Sequence, residues 1–404
     1  MKILFVDSQY PMFDRASADV RMFAIVRLLR EQKHDCHYFV SDIALAESRI
    51  SAEEVTRYRD ALIRLGVTTI ERTGFEQVLA AHHYDVVFFK YFYPAEARIP
   101  LVRIWQPQAR VVVDSVDLVY ARLLAKAEMS GLAADRQEAE GKRMRELATY
   151  AAADLVLTVT EDEAKVLAHE LPKLPIHVIP NIHEIPDQIR SESPFPSLLF
   201  IGTFTHEPNV DGVLWFVQAV WPLVRAMHPD IQLHIVGGHP SPEVLALAHD
   251  GIEVTGYVPD TLPYLLKSWV SIAPLRFGAG MKGKVGEAMA AGIPVVATGF
   301  GAEGFGLTPG EHLLVADEPK AFADAVSSLI HDHALRLAIG WAGRAFIAAR
   351  YSPDAVDLQL ETLTARIAGI VPKCPLLIGL QRAFRKGVLW TTRNLLWRLR
   401  ARRN

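Results

Sequence analysis

Lys282 and Lys284 stand two positions apart, just after the glycine-rich run Gly278-Ala279-Gly280-Met281 and just before an apolar-periodic stretch that carries Glu287. Glycines let a backbone approach a ligand closely, and a helix that follows aims its free N–H groups and the positive end of its dipole at the same point. Two ammonium groups placed there make an anion site, with phosphate as the natural occupant. The spacing predicts that Val285, Ala288, Met289 and Gly292 face a core while Lys284 and Glu287 share another face, so one helix presents a cation and a carboxylate together. A solvated helix face also carries lysines and glutamates, and the rest of the chain has to decide between the two readings.

Other segments carry chemistry as well. Asp14–Arg21 supplies Asp14, Arg15, Ser17, Asp19 and Arg21 just after the first apolar run, although Asp19 also reads as a helix cap. Asp114 and Asp117 close a later run, and Lys90, Tyr91 and Tyr93 make a polar and aromatic loop suited to sugars or to packing. Gly202-Thr203 ends another run before His206–Asn209, where Thr203 and the coming helix can donate to phosphate or sugar oxygens. Asn209 there reads equally as an N-cap. Gly237-Gly238 and Gly256-Tyr257-Val258 end two more runs, the latter offering backbone groups to a nucleobase, and Glu303 in Gly301–Gly304 is a further sugar- or phosphate-side candidate.

The elements that must position these residues alternate. Strand-like runs at Lys2–Asp7, Cys36–Val40, Val67–Ile70, Asp85–Phe89, Arg110–Asp114, Asp154–Val159 and Ile176–Ile179 are separated by helical patterns such as Glu53–Leu65 and Glu138–Ala152. After a proline-rich stretch, Glu184–Pro196, the same grammar restarts with Leu198–Gly202, the helix Asn209–Met227, Ile231–Gly237, Ile252–Gly256, Trp269–Pro274 and His312–Ala316. The pattern predicts an α/β chain of two doubly wound, Rossmann-like parallel-sheet domains facing across a cleft, with ligands at the carboxyl ends of the strands. At 404 residues, two domains are also what length predicts. The expected division is 1–183, a linker 184–196, 197–350, a returning helix 351–367 and a tail 373–404.

Composition narrows the function. A formal net charge of −3 argues against a globally basic nucleic-acid binder. Two cysteines, Cys36 and Cys374, build neither a disulfide framework nor a cysteine-rich zinc site, so a reducing compartment is expected. The opening K-I-L-F-V-D is not a signal peptide and no stretch reads as a membrane span, so the expected location is the cytoplasm.

The series F-I-G-T-F, P-N-V-D-G-V-L-W-F, I-V-G-G, V-T-G-Y-V-P-D, Pro274–Thr298, G-A-E-G and H-L-L-V-A-D resembles the nucleotide-sugar half of glycosyltransferase family 4, whose fold is called GT-B. The branch it looks most like makes bacterial surface glycans and exopolysaccharides. P-M-F-D-R-A-S-A-D-V-R, V-V-V-D-S-V-D-L-V-Y-A-R and T-V-T-E-D-E are similar more loosely, so the resemblance covers residues 1–365. It implies a retaining, metal-independent hexosyl-type transferase without a cofactor, whose substrates are a nucleoside-diphosphate sugar and a glycan or lipid-linked glycan. Lys284 and Lys282 would bind the donor diphosphate and, with Asp117, carry catalysis. Glu287 would hold the donor ribose and Thr203 would lie near the leaving group. Gly202, Asn209, Gly237, Tyr257, Val258, Gly278, Ala279, Gly280, Met281 and Glu303 would complete the donor side, and Asp14, Arg15, Ser17 and Lys90 the acceptor side. Four positions depart from the family pattern: Ala279 stands where many relatives have a glutamate, Val119 where relatives often have histidine, and Ala16 and Ala18 where glycines are common. Two other readings fit the same scaffold, a non-catalytic nucleotide-sugar-binding partner protein and a sugar-nucleotide epimerase.

Residues 373–404 hold nine Lys or Arg and no acid, interleaved with leucines, Phe384, Trp390 and Trp397. This composition fits an interfacial helix on an anionic membrane surface, or a basic helix packed on the protein. The first would place the enzyme peripherally at the inner face of the membrane.

Overall fold

The structure is a computed structural model that describes residues 1–188, 191–249, 251–278 and 280–373. Ala279 and the tail from Cys374 onward, named above, lie outside the described residues.

Two parallel sheets account for the strands. The first contains β1 (Lys2–Asp7), β2 (Asp35–Val40), β3 (Thr68–Ile70), β4 (Val86–Lys90), β5 (Arg110–Asp114), β6 (Leu155–Thr158) and β7 (Ile176–Val178), in the order β3-β2-β1-β4-β5-β6-β7. The second contains β8 (Ser197–Ile201), β9 (Gln232–Val236), β10 (Ile252–Gly256), β11 (Val270–Ala273), β12 (Val295–Ala297) and β13 (Leu314–Val315), in the order β10-β9-β8-β11-β12-β13. All registered pairs are parallel, as in Leu4 opposite both His37 and Val87. Strands covered on both faces are apolar throughout, which is why Val111–Val113 and Leu198–Phe200 are fully buried. Each sheet has two cores, one per face.

The chain passes between the sheets twice, side by side, and the His183 N–H donates to the Tyr351 carbonyl there at 2.8 Å. The helix Pro353–Gly369 then lays Val356, Leu360, Leu363 and Ile367 into the first sheet's core beside Ile25 and Leu29. It starts later than the apolar period predicts: Tyr351 closes the preceding helix, and the Ser352 hydroxyl caps the new one by accepting from Ala355 N–H. The described part of the Glu184–Pro196 stretch is tied down on the second sheet's side. Ser191 and Ser193 N–H donate to Leu266 and Lys267 carbonyls, and Glu192 forms a bidentate pair with Arg336.

Two helices differ from expectation. The run predicted as one helix is Glu207–Trp215, a π-helical turn Phe216–Val220, then Trp221–Met227. Pro222 explains the interruption, since it has no N–H to donate and its ring crowds the carbonyl of Gln218, which a wider turn relieves. The combined 21-residue run is also apolar and long enough to cross a membrane by length and composition, contrary to the sequence reading. Here Val213, Phe216, Val220 and Val224 are packed into the second core. The helix expected to begin after Asp19 begins at Ser17, so Asp19 sits in its first turn and is not its cap.

Candidate active site

In each sheet the strand order reverses between neighbours that diverge in sequence, β1/β4 in the first and β8/β11 in the second. A crevice opens beyond the carboxyl ends at such a point. Several contacts show that the two crevices face one another. A Cβ on Gly283 would lie 2.5 Å from Ser17 Cβ, a Cβ on Gly280 would lie 3.5 Å from both Asp117 and Glu163, and Lys126 pairs with Glu207 at 3.0 Å.

The second-domain wall is built on close backbone packing. Gly202 and Gly237 follow β8 and β9, and a Cβ on Gly237 would stand 1.9 Å from the Gly202 carbonyl oxygen. A Cβ on Gly202 would in turn meet Asn209 Nδ2 at 2.8 Å and Lys284 Nζ at 2.9 Å, so the absence of side chains makes room for the lysine. Asn209 is not the N-cap of its helix; His206 holds that position. Asn209 instead donates from Nδ2 to the Thr203 carbonyl at 2.7 Å and accepts from Lys284 Nζ at Oδ1 at 2.5 Å. The Lys284 ammonium lies 4.1 Å from the Phe200 ring centroid. Burial lowers its pKa to about 7, with Glu287 pulling the other way. Thr203 Oγ1 pairs with Thr205 Oγ1 at 3.2 Å.

Lys282 occupies the N-cap position of the eight-residue helix Gly283–Ala290 and is buried. Its Nζ donates to the Gly280 carbonyl at 2.9 Å and stands 3.5 Å from Glu303, and burial lowers its pKa against the pull of Glu303, Glu163 and Asp117. Glu287, one turn along, accepts from the Thr261 hydroxyl; burial raises its pKa and that hydrogen bond opposes the rise. Thr261 was not singled out in the sequence, where nothing connects it to Glu287. Gly278 and Gly280 have φ of 150° and 68°, and Met281 is buried with its carbonyl accepting from Asn181.

The first-domain wall corrects several expectations. Lys90 does not line the crevice as an acceptor contact: it is buried beneath it, its Nζ held between Asp7 at 2.9 Å and Asp19. Asp114 is likewise structural, forming a fully buried pair with Arg21, whose guanidinium also donates to the Ile179 and Pro180 carbonyls. Asp14 and Arg15 meet the second domain at Tyr257. The Tyr257 hydroxyl donates to Asp14 Oδ2 at 3.0 Å and the Arg15 guanidinium lies 4.5 Å from the Tyr257 ring centroid. Arg57 and Tyr58 also hold Asp14, at 2.6 and 2.7 Å. Val258 packs half-buried against the second sheet's other core, beside Val285 and Met289. Ser17 abuts the N-terminus of the lysine-bearing helix, through the Gly283 contact.

Asp117 does lie at the crevice. Arg122 Nε donates to it at 3.0 Å, and burial raises its pKa against Arg122 and Lys282. Val116 just before it has φ of 64°, an uncommon conformation for a β-branched residue and a sign that its surroundings fix this loop. Two more carboxyls stand nearby, Glu163 at the end of the family-like T-V-T-E-D-E segment and Glu146, which no sequence motif marks. Glu146 accepts from Val119 N–H, Tyr120 N–H and the Tyr150 hydroxyl, capping the helix Val119–Ser130, and burial raises it to about 7. Glu163, also raised to about 7 by burial, accepts from Leu118 N–H at 3.2 Å and faces Gly280.

Two doubly wound parallel-sheet domains with facing switch points are the arrangement found in known structures of similar fold. Sucrose-phosphate synthase from Thermosynechococcus elongatus aligns over 91% of this chain and 99% of its own, with a TM-score of 0.68 at 16% identity. A glycosyltransferase from Rickettsia africae aligns over 91% and 98%, with a TM-score of 0.65 at 14% identity. Anabaena HepE in complex with UDP aligns over 90% and 100%, with a TM-score of 0.63 at 15% identity. The fold is GT-B. Residues 195–332, which hold the entire lysine-bearing wall, match the family model described as Glycosyl transferases group 1. A Klebsiella pneumoniae protein described as an uncharacterized 44.6 kDa protein in the cps region is 32% identical over 136 residues. That match spans 31% of this chain and 35% of the relative, so the two correspond over about a third of their lengths.

Proposed function

We propose that this GT-B chain is a retaining glycosyltransferase that moves a sugar from a nucleoside diphosphate to a hydroxyl of a glycan or lipid-linked glycan, in the assembly of a bacterial surface polysaccharide. The observation that carries the reading is Lys282 and Lys284 at the N-terminus of Gly283–Ala290, with Lys284 seated beside Asn209 in the space left by Gly202. In the reaction the bond from the anomeric carbon to the β-phosphate oxygen breaks, and the nucleoside diphosphate leaves with the electron pair. The two ammonium groups and the helix N–H groups meet the charge that develops on it, a preorganised electrostatic contribution that reorganises little during the step. The acceptor oxygen forms its bond on the face the leaving group vacates, and its proton passes to the departing phosphate, so the configuration is retained and no protein nucleophile is required. Glu287, oriented by Thr261, accepts from the ribose hydroxyls.

The positive charge of this site comes from side chains and backbone, which supports a metal-independent reaction. Solved complexes of the HepE neighbour contain UDP and UDP-glucose, which supports a nucleotide-sugar donor, and the cps-region relative supports a polysaccharide role. The basic, tryptophan-bearing composition of 374–404 supports a cytoplasmic enzyme held peripherally at an anionic membrane near a lipid-linked acceptor. A thermal-shift panel of UDP, GDP, ADP and dTDP and their sugar conjugates tests the donor class, because a ligand that binds only the folded state raises stability. At least one should shift the transition, and Lys284→Ala should abolish turnover while leaving the fold intact. A protein that binds none of them, or near-normal rates in the variant, overturns the reading.

A further inference from the structure

The first domain contributes two nearly buried carboxyls near Asp117, and their surroundings differ. Glu146 is enclosed: both its oxygens are engaged, by two backbone N–H groups and the Tyr150 hydroxyl, and its task is to cap a helix. Glu163 is 7% exposed and stands at the start of the helix Glu161–Glu170, where its N–H donates to the capping Thr160 hydroxyl; it has no ion-pair partner among the described residues, and unlike Glu146 it faces the second domain. Its Oε1 accepts from Leu118 N–H at 3.2 Å and its Oε2 from the Thr160 hydroxyl at 3.4 Å. A carboxylate has about four acceptor sites, so these bonds leave capacity over.

Its position brings the remaining capacity to the donor loop. Glu163 Oε1 would lie 3.5 Å from a Cβ on Gly280, as would the Asp117 Cβ, and Gly280 is held at φ 68°. The donor loop comes within van der Waals reach of the first domain here, at a left-handed turn that favours glycine. Gly280 also supplies the carbonyl that receives Lys282, and a Cβ on Gly304, beside Glu303, would stand 3.2 Å from that carbonyl oxygen. Lys282, Glu303, Asp117 and Glu163 thus converge on the loop from both domains, next to the ammonium that would hold the diphosphate. The group attached to that diphosphate is the transferred sugar.

Resting on the function proposed above, we infer that Glu163 is a specificity-determining residue of the donor-sugar subsite, its carboxyl hydrogen-bonding a hydroxyl of the sugar from the domain opposite the nucleotide. The contact is made by the intact nucleotide sugar and not by the nucleoside diphosphate alone. Asp117, already paired with Arg122, forms the adjoining wall.

The test measures dissociation constants for a nucleoside diphosphate and for its sugar conjugate, chosen as the pair that stabilises the wild-type protein, by titration calorimetry on the full chain. Glu163→Ala should weaken the sugar conjugate about tenfold, the effect of one hydrogen bond to an ionisable group, while changing the nucleoside diphosphate less than about twofold. Glu163→Gln, which keeps an acceptor for Leu118 N–H and for a sugar hydroxyl, should recover most of the loss. Glu163→Met fills the same volume without polar atoms and should behave as the alanine variant; it serves if the alanine variant does not fold. Equal weakening of both ligands, or of neither, overturns the inference. Failure of the wild-type protein to bind any nucleotide overturns the function on which it rests instead.

Discussion

Lys284 gives the site a pH dependence whose sign and size follow from its surroundings. The ammonium is half-buried under the Phe200 ring, with the Asn209 carbonyl as its hydrogen-bond acceptor, and burial lowers its pKa from 10.5 to about 7. A depressed amine is charged below that value and neutral above it, so the form that binds a diphosphate is lost as pH rises. If only the charged form binds, apparent affinity scales with its population: about half at pH 7 and about one part in a hundred at pH 9, a weakening on the order of tens-fold. A terminal phosphate is already ionised over this window, since its second pKa is near 6. His206 stays neutral throughout because burial and the nearby Arg122, Lys284 and Lys282 lower it to about 4. Lys284→Arg isolates the lysine's contribution, because a guanidinium stays charged across the range. Calorimetric titration of the nucleoside diphosphate between pH 7 and 9 should show a steep loss in the wild-type protein and a shallow one in Lys284→Arg. A flat wild-type profile, or equal slopes in the two proteins, refutes the assignment of Lys284 as the diphosphate's titrating partner.

Two further variants probe the walls. Gly202→Ala places a methyl group 2.8 and 2.9 Å from Asn209 Nδ2 and Lys284 Nζ, so it should displace the lysine and weaken nucleoside diphosphate binding about tenfold while the protein stays folded by circular dichroism; unchanged affinity counts against the seat described for Lys284. Tyr257→Phe removes the hydroxyl that donates to Asp14 across the cleft, an exchange of about 0.5–1.5 kcal/mol that should favour separation of the domains, visible as an increased radius of gyration in solution scattering; superimposable profiles would show that the bond does not hold the cleft.

The fold was legible where burial dictates composition. Strands covered on both faces must be continuously apolar and must end in polar loops, and Lys2–Asp7 and Arg110–Asp114 have the bounds their residues predict. Boundaries failed where no side chain marks them. The helix at Ser17 follows Ala16 and has no side-chain cap, so the sequence reading began it too late. The π turn before Pro222 is a backbone response to a missing donor, and an apolar period runs straight through it.

The candidate site divides along a different line. Gly202 and Gly237 could be picked out because a strand-end glycine is unusual and has a physical reason, and Gly280 because it lies in a glycine-rich loop, but the partners these positions meet lie far away in the chain. Asn209 and Lys284 are 75 residues apart, Thr261 and Glu287 are 26, and Glu163 and Gly280 belong to different domains. Local spacing carries no record of such pairs. The same limit misled the reading of Lys90, whose place at a strand end points to a ligand until Asp7 and Asp19 are brought beside it and neutralise it below the crevice floor. A cation at the carboxyl end of a parallel strand is therefore a ligand candidate only while neighbouring strands leave it without acids. Lys90 fails that condition, whereas the Lys284 ammonium meets a neutral amide at contact distance.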